Sequence, residues 1–90
     1  MDNNIIFIKK MVEVYANRTI PKTMPNAPKL EVHGVKEVYG GHYIVDIVIL
    51  DWENVNVSEW FDKLTKVTGI IKGTLNQVNS LNFNPVTKRN

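Results

Sequence analysis

The chain has 90 residues, a formal net charge of +2, a pI near 9.0 and a hydrophobic content of 43%. Those values describe one small globular domain and exclude disordered and collagen-like chains. It contains no cysteine, which excludes disulfides, thiolate nucleophiles and cysteine-based zinc sites. The mild basicity falls short of the dense basic stripe typical of nucleic-acid binders.

Taken from the start, the apolar run at residues 5–8 is far shorter than a signal-peptide core or the roughly 20 residues that cross a bilayer. A soluble cytoplasmic protein is expected. Residues 4–17 place Ile5, Ile8, Val12 and Tyr15 at helical spacing, with Lys9, Lys10 and Glu13 off that stripe, and predict an amphipathic helix. The alternation of Val12, Glu13 and Val14 leaves a strand as the alternative. Residues 21–28, PKTMPNAP, carry three prolines and read as an extended connector. Pro25 and Pro28 within it form a PxxP pattern of the type that aromatic-lined grooves bind.

Residues 30–50, LEVHGVKEVYGGHYIVDIVIL, hold two β-rich runs around a Gly-Gly pair and predict an antiparallel β-hairpin with a type I′ turn at Gly40 and Gly41. Counting outward from that turn sets a register. One face then pairs Val38 with Tyr43, Lys36 with Val45, Gly34 with Ile47 and Val32 with Ile49. The other pairs Tyr39 with His42, Glu37 with Ile44, Val35 with Asp46, His33 with Val48 and Glu31 with Leu50. The first face is mostly apolar; the second mixes polar and apolar groups.

After the hairpin, Asp51, Trp52 and Glu53 lead to a helix start at Asn56, with Glu59 three residues on and Val55 and Trp60 at hydrophobic-staple spacing. Val57, Trp60, Phe61, Leu64, Val67 and Ile71 repeat at helical period and are expected to pack on the apolar face of the hairpin. Glu59 with Lys63 and Asp62 with Lys66 have the spacing of stabilising ion pairs. Gly69 is a natural stop, and Thr74 and Gln77 resemble a second cap before a short helix to about Leu81. One long interrupted helix, or a third strand across Leu81 and Phe83, are the alternatives for this stretch. Pro85 should end regular structure, so that the domain covers residues 1–84 and residues 85–90 form a flexible basic tail. The architecture is therefore α+β: an N-terminal helix, a central hairpin with a third strand as an option, and a C-terminal helical segment on one sheet face.

Asp46 interrupts an otherwise apolar strand, and an ionised carboxylate must there be partnered or face solvent. His33 is its expected ion-pair partner. A metal site of His33, Asp46 and Glu37 is the weaker reading, because convergence and a supporting shell do not follow from spacing. The acids Asp51 and Glu53 read as helix-start electrostatics rather than as an acid–base pair. No nucleophile elbow or phosphate-binding glycine loop is present, so the chain is read as a non-enzyme with no cofactor.

The mixed face suggests protein contact. Val35, Ile44, Val48 and Leu50 would supply the apolar area, with Glu31, His33, Glu37 and Asp46 selecting the partner. The expectation is a small regulator or inhibitor that binds another protein or a second copy of itself through the hairpin. The alternative is a DNA- or RNA-binding protein using Lys36, Tyr39, His42, Tyr43, Lys72, Lys88 and Arg89. Lysine outnumbers arginine nine to two and asparagine is abundant, a bias found in AT-rich genomes such as those of phages or low-GC bacteria.

Overall fold

A computed structural model describes residues 3–51 and 56–86. Helix α1 spans Asn3–Val14 and continues as a π-helical turn over Tyr15–Thr19 and a 3-10 turn over Ile20–Lys22. The reason for the change of pitch is visible in the spacing of the buried residues Ile8, Val12, Ala16 and Ile20. Steps of four overshoot an α-helical turn by about 40° each, and the wider π turn holds Ala16 and Ile20 against the core. The helical path therefore runs into the proline-rich segment, which is not extended. Pro21 sits in the first turn of the 3-10 helix, and the N–H groups of Thr23 and Met24 bond the Ile20 carbonyl. The Ala27 N–H closes a further turn on Met24, and Pro28 is fully buried, which removes it from any PxxP ligand.

The hairpin pairs β1, Lys29–Tyr39, with β2, His42–Leu50. Helix α2, Val57–Thr74, then crosses to β3, Ser80–Pro85, which pairs parallel to β2. The sheet is thus mixed, with order β1-β2-β3, rather than a plain hairpin. The direction of β3 follows from length: 18 helical residues span about 27 Å, and nine strand residues about 30 Å. The helix therefore returns the chain to the start of β2, and Ser80 lies opposite His42.

Asn56 caps α2 by accepting the Glu59 N–H at 3.0 Å. Val55 of the expected staple, Glu53, Trp52 and residues 87–90 lie outside the described residues. Trp60, Leu64, Val67 and Ile71 are fully buried, with Val57 and Phe61 partly so. That continuous stripe carries the helix through Gly69 and Gly73 at a propensity cost of about 1 kcal/mol each, so no stop occurs at Gly69 and no second helix reaches Leu81. Among the described residues neither Glu59 and Lys63 nor Asp62 and Lys66 close to ion-pair distance. Pairing also passes Pro85, since the Val86 N–H bonds the Ile47 carbonyl at 2.8 Å. Both helices contribute to one core with Leu30, Val32, Tyr43, Val45, Ile47, Val78 and Leu81, so one face of the sheet is covered. Within that core the Trp60 indole N–H has no hydrogen-bond partner among the described residues.

Two side chains from the helical segment bond β1 along its outer edge. The Asn17 amide donates to the Leu30 carbonyl and accepts the Leu30 N–H, both at 2.9 Å, and the Glu13 carboxylate accepts the Val32 N–H at 3.1 Å. Asn17→Ala leaves the Leu30 groups unpaired and is expected to cost about 1–3 kcal/mol by urea unfolding.

At the turn only Gly41 has a positive φ, 77°, so the two glycines do not form a type I′ turn. A Cβ on Gly41 would lie 2.5 Å from the Gln77 carbonyl and 2.6 Å from the Asn79 amide, whereas one on Gly40 meets nothing. Gly41→Ala should destabilise the fold by about 2–3 kcal/mol, while Gly40→Ala stays within about 0.5 kcal/mol. Equal losses at both positions would contradict this turn geometry.

Candidate functional site on the open face of the sheet

The register of the hairpin differs from the simple outward count in two places. Pairing runs Tyr39 with His42, Glu37 with Tyr43, Lys36 with Ile44, Val35 with Val45 and Gly34 with Asp46. Beyond a second shift it runs Val32 with Ile47, Glu31 with Val48, Leu30 with Ile49 and Lys29 with Leu50. Val38 and His33 are the extra residues of two β-bulges in β1, and each bulge reverses which face the following residues occupy. Without them Lys36 would oppose buried Val45 and push an ammonium into the core, which is costly without a partner.

Four residues placed by the simple count therefore change sides. Val35 packs against the helix-covered core, and Glu37 lies opposite buried Tyr43 with its carboxylate accepting the Gly41 N–H at 2.7 Å. Both leave the expected partner-binding face. Lys36 and Gly34 join it. Leu30 and Val32, beyond the second bulge, regain their expected side and are buried.

The uncovered face, read from the hairpin tip downward, carries Tyr39, His42 and Ser80, then Lys36, Ile44 and Asn82, then Gly34, Asp46 and Asn84. Glu31 with Val48 and Lys29 with Leu50 complete it. Asp46 does not pair with His33. Its Oδ1 accepts from the Asn84 amide at 2.8 Å, and Gly34 opposite leaves room for the carboxylate. His33, on its bulge, instead lies 3.2 Å from Glu31 through Nε2. The trio His33, Asp46 and Glu37 is thus dispersed, and among the described residues no three acidic or histidine side chains are grouped to hold a metal ion.

At the tip the His42 Nδ1 lies 2.7 Å from the Ser80 hydroxyl. Its ring stacks on Tyr39 with centroids 4.3 Å apart and planes tilted by 31°. A serine hydroxyl on an imidazole is the contact of a nucleophile with its base, but among the described residues no carboxylate orients the ring from behind. The pair instead ties the first residue of β3 to the first residue of β2. Ser80 was not legible as part of this site, because nothing local to its sequence indicates that the chain returns beside His42.

Of the residues expected to contact nucleic acid, Tyr43 is buried at 2% exposure, whereas Tyr39 is 67% exposed. The buried Tyr43 ring has no free face for a base, and its hydroxyl accepts from Asn4 at 3.4 Å. Lys36 and Lys72 are exposed, Lys72 in the last turn of α2 and Lys36 on the open sheet face one row from Asp46. Lys88 and Arg89 lie outside the described residues. Val48 is buried, and Ile44 and Leu50 are half-buried, which is less exposed apolar area than four uncovered side chains would give. No helix among the described residues is long and apolar enough to cross a membrane. No family model, curated protein or solved structure matches the chain.

Because His33 and Asp46 make separate contacts, their removal should be uncoupled. The losses in His33→Ala and Asp46→Asn should add in the double variant to within about 0.5 kcal/mol. A clearly larger interaction energy in that cycle would restore the ion pair.

Proposed function

We propose that this chain is a small non-enzymatic protein-binding module, a regulator or inhibitor that acts by direct contact through the open face of its sheet. The observation that carries this reading is the asymmetry of that sheet. One face is buried under two helices, while on the other, where no described helix packs, Val48 is buried and Ile44 and Leu50 are partly exposed. Around them stand Lys29, Lys36, Glu31, His33 and Asp46, with the amides of Asn82 and Asn84 between. Mixed charge around a modest apolar centre favours a protein partner, since binding energy comes from the apolar anchors and selectivity from the charges at the rim.

The same arrangement argues against nucleic acid as the ligand. A base-stacking sheet needs exposed aromatics along its centre, and here the central strand carries Ile44, Asp46 and the buried Val48. Glu31 and Asp46 would in addition oppose phosphate. Among the described residues Tyr39, at the tip, is the single exposed aromatic of this face.

A photo-crosslinker at Leu50, used in cells of the protein's own source, identifies the partner. Ile44→Lys and Leu50→Lys, each verified as folded by circular dichroism, should then weaken that complex roughly tenfold or more. Unchanged affinity in both variants rejects the face. Binding to a mixed-sequence oligonucleotide at low salt that collapses as salt rises and is lost in Lys36→Glu assigns the face to nucleic acid instead.

A further inference from the structure

The two edges of the sheet are treated differently. The outer edge of β1 is occupied at Leu30 and Val32 by the Asn17 amide and the Glu13 carboxylate, and its remainder is broken by bulges at His33 and Val38. Those are devices that keep an edge strand from pairing with another chain. β3, reading SLNFNP, has none of the charged residues that serve this purpose, and only its last residue is a proline.

The N–H groups of Ser80 and Val86 point to β2, bonding Gly41 and Ile47. Backbone direction alternates along a strand, so Ser80, Asn82 and Asn84 face β2 while Leu81, Phe83 and Pro85 face outward. Among the described residues nothing bonds the outward groups of Leu81 and Phe83. Proline, which has no N–H to offer, occupies an outward position, as an edge strand allows.

We infer that β3 is a self-association edge, pairing antiparallel with β3 of a second copy about a two-fold axis through Asn82. This goes beyond the open-face reading and uses a different surface. Only one register pairs every outward group of Leu81 and Phe83, and it leaves Pro85 against Asn79 without a bond. Centring on Asn82 sets Leu81 opposite the second copy's Phe83, and the two residues exchange both of their hydrogen bonds across each half of the pair. Centring on Leu81 would set Phe83 against Asn79, whose N–H is already held by Gly41 at 2.7 Å. Centring on Phe83 would set Leu81 against Pro85, which cannot donate.

Side chains agree with that register, because residues opposite each other share a face. Leu81 and Phe83 lie on the helix side with buried Tyr43 and Val45, so an apolar pair forms there twice. Asn82 meets its own copy on the open side, and Ser80 meets Asn84, matching amide with amide and hydroxyl with amide. Phe61 of α2 meets Phe83 edge-on at 6.1 Å, and both rings are only partly buried. A second copy at this edge would cover them. An axis perpendicular to the sheet keeps the helices of both copies on one side and leaves the open faces continuous.

Asn82 is exposed, so charges placed there leave the fold intact while standing directly opposite themselves in the dimer. Light scattering over a concentration series reaching about 1 mM should show the wild-type mass approach twice the 10.3 kDa of the chain. Asn82→Lys and Asn82→Asp should each stay near the single-chain mass, and an equimolar mixture of the two should recover the doubled mass by opposite-charge pairing. Leu50→Lys should dimerise as wild type. A monomeric wild type at the highest concentration, a dimer that survives both single charges, or a mixture that stays monomeric would each overturn the inference.

Discussion

Hydrogen bonding along both edges of β2 is the constraint on which the remaining elements depend. Its nine residues are paired antiparallel on one side and six of them, His42–Ile47, are paired parallel on the other, and its alternate side chains Tyr43, Val45 and Ile47 form the floor of the core. Helix α2 answers to it in length as well as in pattern. A much shorter helix would not carry the chain back to the start of β2, and β3 would lose its parallel partner. Gly41 makes the return possible at close range, since its carbonyl receives the N–H groups of both Asn79 and Ser80. The bare Cα there is what lets the incoming strand approach.

The two bulges in β1 decide what the open face is made of. They exchange Val35 for Lys36 and Glu37 for Gly34, so the face becomes more polar than an unbroken hairpin would make it. Physically this resolves a conflict within β1 itself. Leu30 and Val32 are buried on even positions and Val35, partly buried, packs against the same core from an odd one, so no unbroken strand could turn all three to the core. Gly34, lacking a side chain, then accommodates the Asp46 carboxylate, which finds its hydrogen bond on β3 rather than on β1. A charged residue in the middle of an apolar strand is in this way satisfied at the surface, without an ion pair.

The sheet also separates two kinds of surface. The face opposite the helices is of mixed charge and only partly apolar. The β3 edge is narrow and uncharged, and offers backbone groups in a spacing that its own sequence complements. Side chains from α1 and the π turn close the opposite edge, which leaves β3 as the side on which the sheet can grow.

The sequence alone determined the elements whose signals are local: the apolar stripe of α1, the Asn56 cap and buried stripe of α2, the Gly-Gly turn, and the sides taken by every residue of β2. These rest on periodicity and capping, which act within a few residues. The parity change between Val32 and Val35 was also present in the sequence and is the one signal that could have located the bulge at His33. Tertiary structure alone decided the rest. Residues 80–85, where the alternation of Leu81 and Phe83 offered a third strand as one option, are rich in asparagine, a poor strand former, and the unpaired edge of β2 at the place where α2 delivered the chain selected that option. The partners of Asp46 and His42 followed from that delivery, since Asn84 and Ser80 are each 38 residues away. Contacts over such a separation have no local signature; they exist only once the crossover brings the strands together.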